Sequence, residues 1–280
     1  MTLNPDQTTP VLGGTKLVFT AAPNNGYMVK EWKIDSNTVE GNLSNKLEIG
    51  SLEKKTIVTV SFEPLKLHTI TANGTECEIK DVIRTPSDYG DDTHVRDRGT
   101  VSFKVVPTKA SMGLQGLPDN AQVEYNSDGS YTVTVTNVTS NIAVTAYKVE
   151  TNKLENYTVP DSLISANVKS VADIRTKLET NLTGRKDGIV FYDIVLKASD
   201  GTPVTTFPAN GVYVTIPYPD GTNKQDTFRI VHMLTVDMNG KKAGEVEEIT
   251  PITKGENGIS FHVTSLSPFA IGWTKYVAPT

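Results

Sequence analysis

The sequence predicts a mainly all-β chain in which two related small modules precede a larger β-domain carrying one short helix. Three observations carry this expectation. Valine, threonine and isoleucine alternate with other residues in "KLVFTA", "TIVTVSF", "TVSFKVV", "SYTVTVTNV", "NIAVTAY", "GVYVTIPY" and "ISFHVT", the period-two pattern of half-buried strands. Asn-Gly and Asp-Gly pairs punctuate them, ending at Gly26, Gly74, Gly129, Gly201, Gly211, Gly221, Gly240 and Gly258, and such pairs accept the positive φ of tight turns. Finally, the chain aligns with itself at an offset of about 84 residues, longer than most solenoid periods and suited to two related domains in tandem.

The first unit spans residues 1–64 and the second 65–150. With Phe19 laid on Phe103, "LVFTAAP" matches "VSFKVVP", which places Pro23 on Pro107; "TIVTVSF", ending at Phe62, matches "NIAVTAY", ending at Tyr147, after one inserted residue. The stretch "VETNKLENYTVPDS" has the polar character of a linker, and a third, unrelated unit fills 151–280. There the period changes in "SVADIRTKLETNLTG": Val171, Ile174, Leu178 and Leu182 recur at helical spacing, Ser170 can cap the start and Gly184 can end the run. A short amphipathic helix is predicted over 171–182, its apolar stripe packed on a sheet.

Composition narrows the range of functions. At 280 residues and 37% hydrophobic content, the chain is long enough for two or three cores. A net charge of −5 supplies no basic surplus to neutralise phosphates, so nucleic-acid binding is not expected. No apolar run reaches the ~18 residues of a spanning helix, and the first residues lack the basic and apolar regions of a secretory signal. Membrane insertion is therefore not expected of this segment. The single cysteine, Cys77, excludes an internal disulfide and a multi-cysteine metal site; it sits in an alternating stretch as a structural thiol.

Gly14, Thr15, Ala22, Pro23, Gly26, Tyr27, Val29 and Trp32, followed by Val58, Val60 and Phe62, give the first unit its family character: it resembles the divergent internalin B-repeat of bacterial surface proteins. The second unit keeps Gly99, Thr100, Phe103, Pro107 and the closing strand, with "TKASMGLQGLPD" in place of the Gly-Tyr and Trp positions. In the third unit, "FPANGVYVTIPYPDGT", "FRIVHMLTVDMNGKKAGEVE" and "GISFHVTSLSPFAIGW" resemble a module recurrent beside such repeats in surface proteins of Firmicutes. The resemblance implies tandem small β-grasp-like modules followed by a β-sandwich-like domain. It also implies an extracellular setting on a Gram-positive bacterial cell surface, with anchor and signal outside this segment.

Candidate sites are few. "SDYGDDTHVRD" gathers Asp88, Asp91, Asp92 and Asp97 around His94. Calcium takes six to eight oxygens from flexible loops, so these carboxylates are a candidate calcium site; a solvated loop neutralised by Arg96 and Arg98 is the alternative. Trp273 and Tyr218 are candidates for stacking on a sugar ring, against the plainer reading of Trp273 as a core residue beside Ile271 and Phe269. Tyr89 is a further exposed candidate. His232 and His262 lie in strands and satisfy buried hydrogen bonds, or approach each other across the third unit. Ser265 and Ser267 stand without an identifiable base, and neither Gly-x-Ser-x-Gly nor a phosphate-cradling glycine loop occurs. The sequence thus predicts a non-catalytic, monomeric segment without a cofactor, acting as spacer, stalk or adhesin module. The alternative is a third unit that itself binds a host glycan or extracellular protein.

Overall fold

The computed structural model describes residues 2–4, 13–74, 76–108, 112–184, 186–207, 210–266 and 268–278. The first unit contributes β1 (Thr2–Asn4), β2 (Leu17–Thr20), β3 (Tyr27–Ile34), β4 (Asn37–Thr38), β5 (Lys46–Ile49) and β6 (Val58–Pro64). They form two three-stranded antiparallel sheets, β1-β2-β5 and β4-β3-β6. Between them Trp32, Val29, Ala21 and Leu47 make a small buried core. The indole of Trp32 is fully enclosed and donates Nε1–H to the Ser44 carbonyl at 2.8 Å, so its one polar atom is satisfied.

The second unit contributes β7 (Leu67–Asn73), β8 (Cys77–Thr85), β9 (Gly90–Asp91), β10 (His94–Arg96), β11 (Thr100–Pro107), β12 (Met112–Gln115), β13 (Ala121–Tyr125), β14 (Tyr131–Val135) and β15 (Ile142–Lys153). Its pairing repeats that of the first unit. The order β8-β11-β14 reproduces β1-β2-β5, and the antiparallel pair β12–β15 reproduces β3–β6. Phe19 and Phe103 fall on β2 and β11, Phe62 and Tyr147 on β6 and β15, as the self-alignment places them.

The third unit begins with α1 (Asp161–Ser165) and α2 (Val171–Asn181), followed by β16 (Gly188–Lys197), β17 (Val212–Ile216), β18 (Thr227–Met233), β19 (Val246–Glu248), β20 (Ile252–Gly255), β21 (Gly258–Val263) and β22 (Pro268–Thr274). The predicted helix is α2. Ser170 Oγ caps it by accepting the Asp173 N–H at 3.2 Å, and Ile174, Leu178 and Leu182 bury against Val231, Met233 and Ala270 of the sheet. The fold is mainly β, and the glycines of all eight Asn-Gly and Asp-Gly pairs have φ between +71° and +138°.

The linker reading of 149–162 is corrected. β15 continues as strand to Lys153, because Val149 is an apolar residue with a core to enter, and a 3-10 turn at Leu154–Asn156 follows with Leu154 buried. β15 pairs with β16 from Lys148↔Lys197 to Lys153↔Tyr192, while β12 pairs with β17 from Met112↔Thr215 to Leu114↔Tyr213. One hydrogen-bonded path therefore runs β19-β18-β22-β16-β15-β12-β17-β21-β20. Two strands of the second unit bridge the two halves of the third, and Val149 lies in the same core as Ile194, Val214, Ile259, Phe261, Phe269 and Ile271.

Candidate functional site at the unit seams

Buried polar side chains lie at both places where units meet, among them Arg96, Thr215 and Ser260. Just after β8 the chain enters the loop that the sequence marks for its acids, and β10 returns it along β7. Arg96, on β10, is completely buried. Its guanidinium reaches into the first unit, with Nη1 donating to the Leu43 carbonyl at 2.5 Å and Nη2 to the Val29 carbonyl at 3.0 Å, while Nε donates to its neighbour's Asp97 carbonyl at 3.2 Å. It sits over the Tyr89 ring, 5.4 Å from the centroid. The Tyr89 hydroxyl accepts the Val29 N–H at 3.0 Å and donates to Asn45 Oδ1. Asp88 accepts the Asn45 N–H at 3.2 Å, and Arg98 pairs with Glu63. Tyr89 is thus half-buried and engaged instead of being a free surface ring.

The four candidate calcium ligands serve different places. Asp88 faces the first unit. Asp91 accepts from the Thr93 N–H and hydroxyl, both at 2.7 Å, and contacts His94 Nδ1 at 2.9 Å; Thr93 and His94 together hold its carboxyl well below the ordinary range. Asp92 is exposed. Asp97 meets His68 Nε2 at 2.6 Å and Lys66 Nζ at 2.9 Å. Burial alone would raise the Asp97 carboxyl, but Lys66 and His68 outweigh it and keep it below its usual value. Among the described residues, no three His, Cys, Asp or Glu side chains gather in a way that could hold a metal ion.

The second seam combines main chain with buried hydroxyls. The Tyr131 hydroxyl, on β14, bonds Thr215 Oγ1 and lies 3.0 Å from Ser260 Oγ, across from the second unit to the third. Burial pushes its phenol upward, so it remains a neutral hydrogen-bonding group. Asn210 Nδ2 donates to the Leu117 carbonyl at 2.6 Å and the Glu256 N–H to the Ser127 carbonyl at 2.9 Å. Close approach of the strands needs Gly113, where a Cβ would come within 2.6 Å of Leu196 Cδ2.

The remaining candidates are held by structure. Trp273 packs on the core that contains Phe269 and Ile271, and its six-membered ring covers Gly188, where any Cβ would collide with it. A cavity of about 210 Å³ adjoins Trp273, lined by Leu182, Thr183, Lys186, Arg229 and Gly272 among others. Successive strand residues point to opposite faces, which puts the indole on the far side of the sheet from Gly272 and Leu182. The cations of that cavity are already paired: Arg229 forks onto Glu248 at 2.9 and 2.8 Å and donates to the Thr183 carbonyl at 2.7 Å, and Lys186 lies 3.5 Å from Glu179. Tyr218 is half-buried, its ring 5.5 Å from that of Phe228 and its hydroxyl bonded to the Gly255 carbonyl at 2.8 Å. His232 is buried, stacks on Phe269 and contacts Glu247 at 3.2 Å, whereas His262 bonds the Asn210 carbonyl at 2.7 Å beside Tyr213. Ser265 is buried; Ser267 lies outside the described residues.

Arg96 and Tyr131 are what sequence reasoning missed as joint residues. Arg96 appears in the sequence only as a charge neutralising nearby acids. The signal available was position: "DYGDDTHVRDR" directly precedes Gly99-Thr100, the counterpart of the Gly14-Thr15 entry of the first unit.

The fold and these seams define a class, a tandem β-module protein whose units are joined through buried contacts. Within it, residues 2–66 match the divergent InlB B-repeat domain, which points to a segment of a bacterial surface protein. No curated protein and no solved structure matches the chain.

Proposed function

We propose that the chain is a non-catalytic extracellular segment of a bacterial cell-surface protein that acts as a stiff spacer or stalk, presenting an adhesive region. The observation that carries this reading is the character of the joints. Ordinary interdomain contacts are polar and permit relative motion. Here one joint buries an arginine on two carbonyls of its neighbour, and the other is a continuous β-ladder with hydroxyls sealed inside it. A segment that must hold a binding region at a fixed distance needs such joints; an enzyme or a lone receptor domain does not.

Small-angle X-ray scattering of the full chain tests the proposal. We expect one conformation to fit the scattering of the native chain, and an ensemble with a bent first joint to be required for Arg96→Ala. A native chain that already needs a broad ensemble would sink the stalk reading. Binding of a host glycan or protein by the third unit is the competing proposal. The engagement of Tyr218 and Trp273 in packing weighs against those two residues as its platform, and a glycan array probed with the full chain and with Trp273→Phe would separate the cases.

A further inference from the structure

Among the described residues, the outer edge of β6 is open: β6 ends the order β4-β3-β6 and pairs only with β3. Thr56 through Phe62 carry no charge, proline or glycine, and exposed Ile57 and Phe62 flank the half-covered Val58 and Val60. Natural sheets blunt exposed edges with charges, bulges or shortness. The nine-residue β8 does so, with an irregularity opposite Phe103, Asp81 at φ +52° and Lys80 beside it. β6 keeps its one charge, Glu63, and its one proline, Pro64, to its last two positions, so Val58–Phe62 carry none of these devices on their own strand.

The internal repeat shows the same edge occupied. β15 is the counterpart of β6, and its side away from β12 carries β7 over Ile142–Thr145 and β16 over Lys148–Lys153. In the first unit the corresponding side has no strand among the described residues. The phase of the free groups follows from the bonds β6 makes. The Ile57 carbonyl accepts from the Asp35 N–H at 2.8 Å, the Ile57 N–H donates to Asp35 Oδ1 at 2.8 Å, and the Leu65 N–H donates to the Gly26 carbonyl at 2.8 Å. Odd-numbered residues thus face β3, so alternation turns the N–H and C=O of Val58, Val60 and Phe62 outward.

We infer that β6 pairs antiparallel with β6 of a second copy of this chain, about a two-fold axis at Thr59. In that register Val58 faces Val60 and Thr56 faces Phe62, so every opposed pair that exchanges hydrogen bonds has its groups already turned outward. Lys55 falls opposite Glu63, whose Oε1 also takes Arg98. Moving the axis to Val60 sets Lys55 against Leu65 and loses the charge match. The interface is self-complementary, as a two-fold contact must be. It is smaller than a stable interface, so dissociation constants on the order of 1 mM are expected; tethering many copies on one surface supplies millimolar effective concentrations. This contact stands independently of the stalk reading, because it needs only the first unit's edge.

Sedimentation equilibrium of the full chain up to about 1 mM tests it. We expect reversible dimerisation that weakens at least about tenfold in Thr59→Lys, which sets two like charges directly opposite each other, and weakens also in Lys55→Glu. Thr59 is exposed, so the fold should tolerate the change; circular dichroism checks this. Under mild oxidation Thr59→Cys should cross-link between chains, since opposed Cβ atoms in such pairs lie about 4.5–5.5 Å apart, while Thr38→Cys on β4 should not. A chain that stays monomeric, a dimer indifferent to Thr59→Lys, or equal cross-linking at positions 38 and 59 would overturn the inference.

Discussion

Arg96 and Val29 belong to different units, yet the guanidinium of one donates to the carbonyl of the other at 3.0 Å with no exposure to solvent. A fully buried arginine is tolerable only when its donors find acceptors and its charge is compensated. Here burial pulls its pKa down and Arg98 adds to the pull, while Tyr89, Glu63 and Asp97 work in the other direction. Replacing it by alanine strands the Val29 and Leu43 carbonyls, a loss of about 2–4 kcal/mol in coupling between the units. The chain has two tryptophans, Trp32 in the first unit and Trp273 in the third, so urea unfolding followed by fluorescence reports both ends. We expect Arg96→Ala to shift the Trp32 transition to lower urea while leaving that of Trp273 in place. Arg96→Lys should not restore it, because a single ammonium cannot reproduce the planar fork.

Cutting the chain at the boundary drawn from sequence gives a second test. A fragment of residues 151–280 loses Val149 from the core, the whole of β12 and β15 as far as Glu150. We expect it to be poorly folded, with dispersed amide resonances recovered only in a fragment of 66–280. A well-folded 151–280 would show that the shared ladder is dispensable.

That boundary also shows what the sequence reveals and what it hides. Local patterns were legible: the alternating runs are strands, Ser170 caps α2, and the Phe19–Phe103 alignment marks a repeated pairing scheme. Pairing between units was not. Val149, Glu150 and Thr151 read as a polar linker because alternation on a strand with one face to solvent looks the same as a tether, and only the partner strand, Val195 opposite Glu150, decides between them. The acidic loop was legible as a cluster of charges. Its role depends on where Val29, Leu43 and Asn45 stand, residues some fifty positions upstream by the separations of 53 for Leu43 and 67 for Val29 from Arg96.

Trp273 offers a third test, between core residue and sugar platform. Its indole rests over Gly188 and on the core around Phe269. Aromatic-to-alanine changes in cores cost about 3–5 kcal/mol, and a half-covered ring should cost less, roughly 2 kcal/mol. We expect Trp273→Ala to lower the thermal midpoint of the third unit clearly, with Trp273→Phe recovering most of the loss. An unchanged midpoint would return Trp273 to the list of ligand candidates.

Acid stability provides the last test. Glu247 accepts from the buried His232 at 3.2 Å and from Lys241 at 2.6 Å. Its carboxyl is held at about 2 against an ordinary 4.5, chiefly by the His232 hydrogen bond, with burial opposing and Lys241 adding to the depression. A carboxylate depressed by folding contributes stability that is complete above its unfolded pKa and disappears as pH falls through the folded one. The affected window therefore runs from about 4.5 down to about 2. Because Glu247 keeps some contact with solvent, screening reduces the effect to on the order of 1–2 kcal/mol. Asp97, depressed by Lys66 and His68 against the pull of burial, acts in the same direction at the first seam. We expect denaturant midpoints to be flat above pH 5 and to fall below it, with Glu247→Gln shrinking the acid loss measured at Trp273 and Asp97→Asn shrinking the loss measured at Trp32. If neither variant alters the slope between pH 4.5 and 2, these two carboxylates are not the source of acid sensitivity.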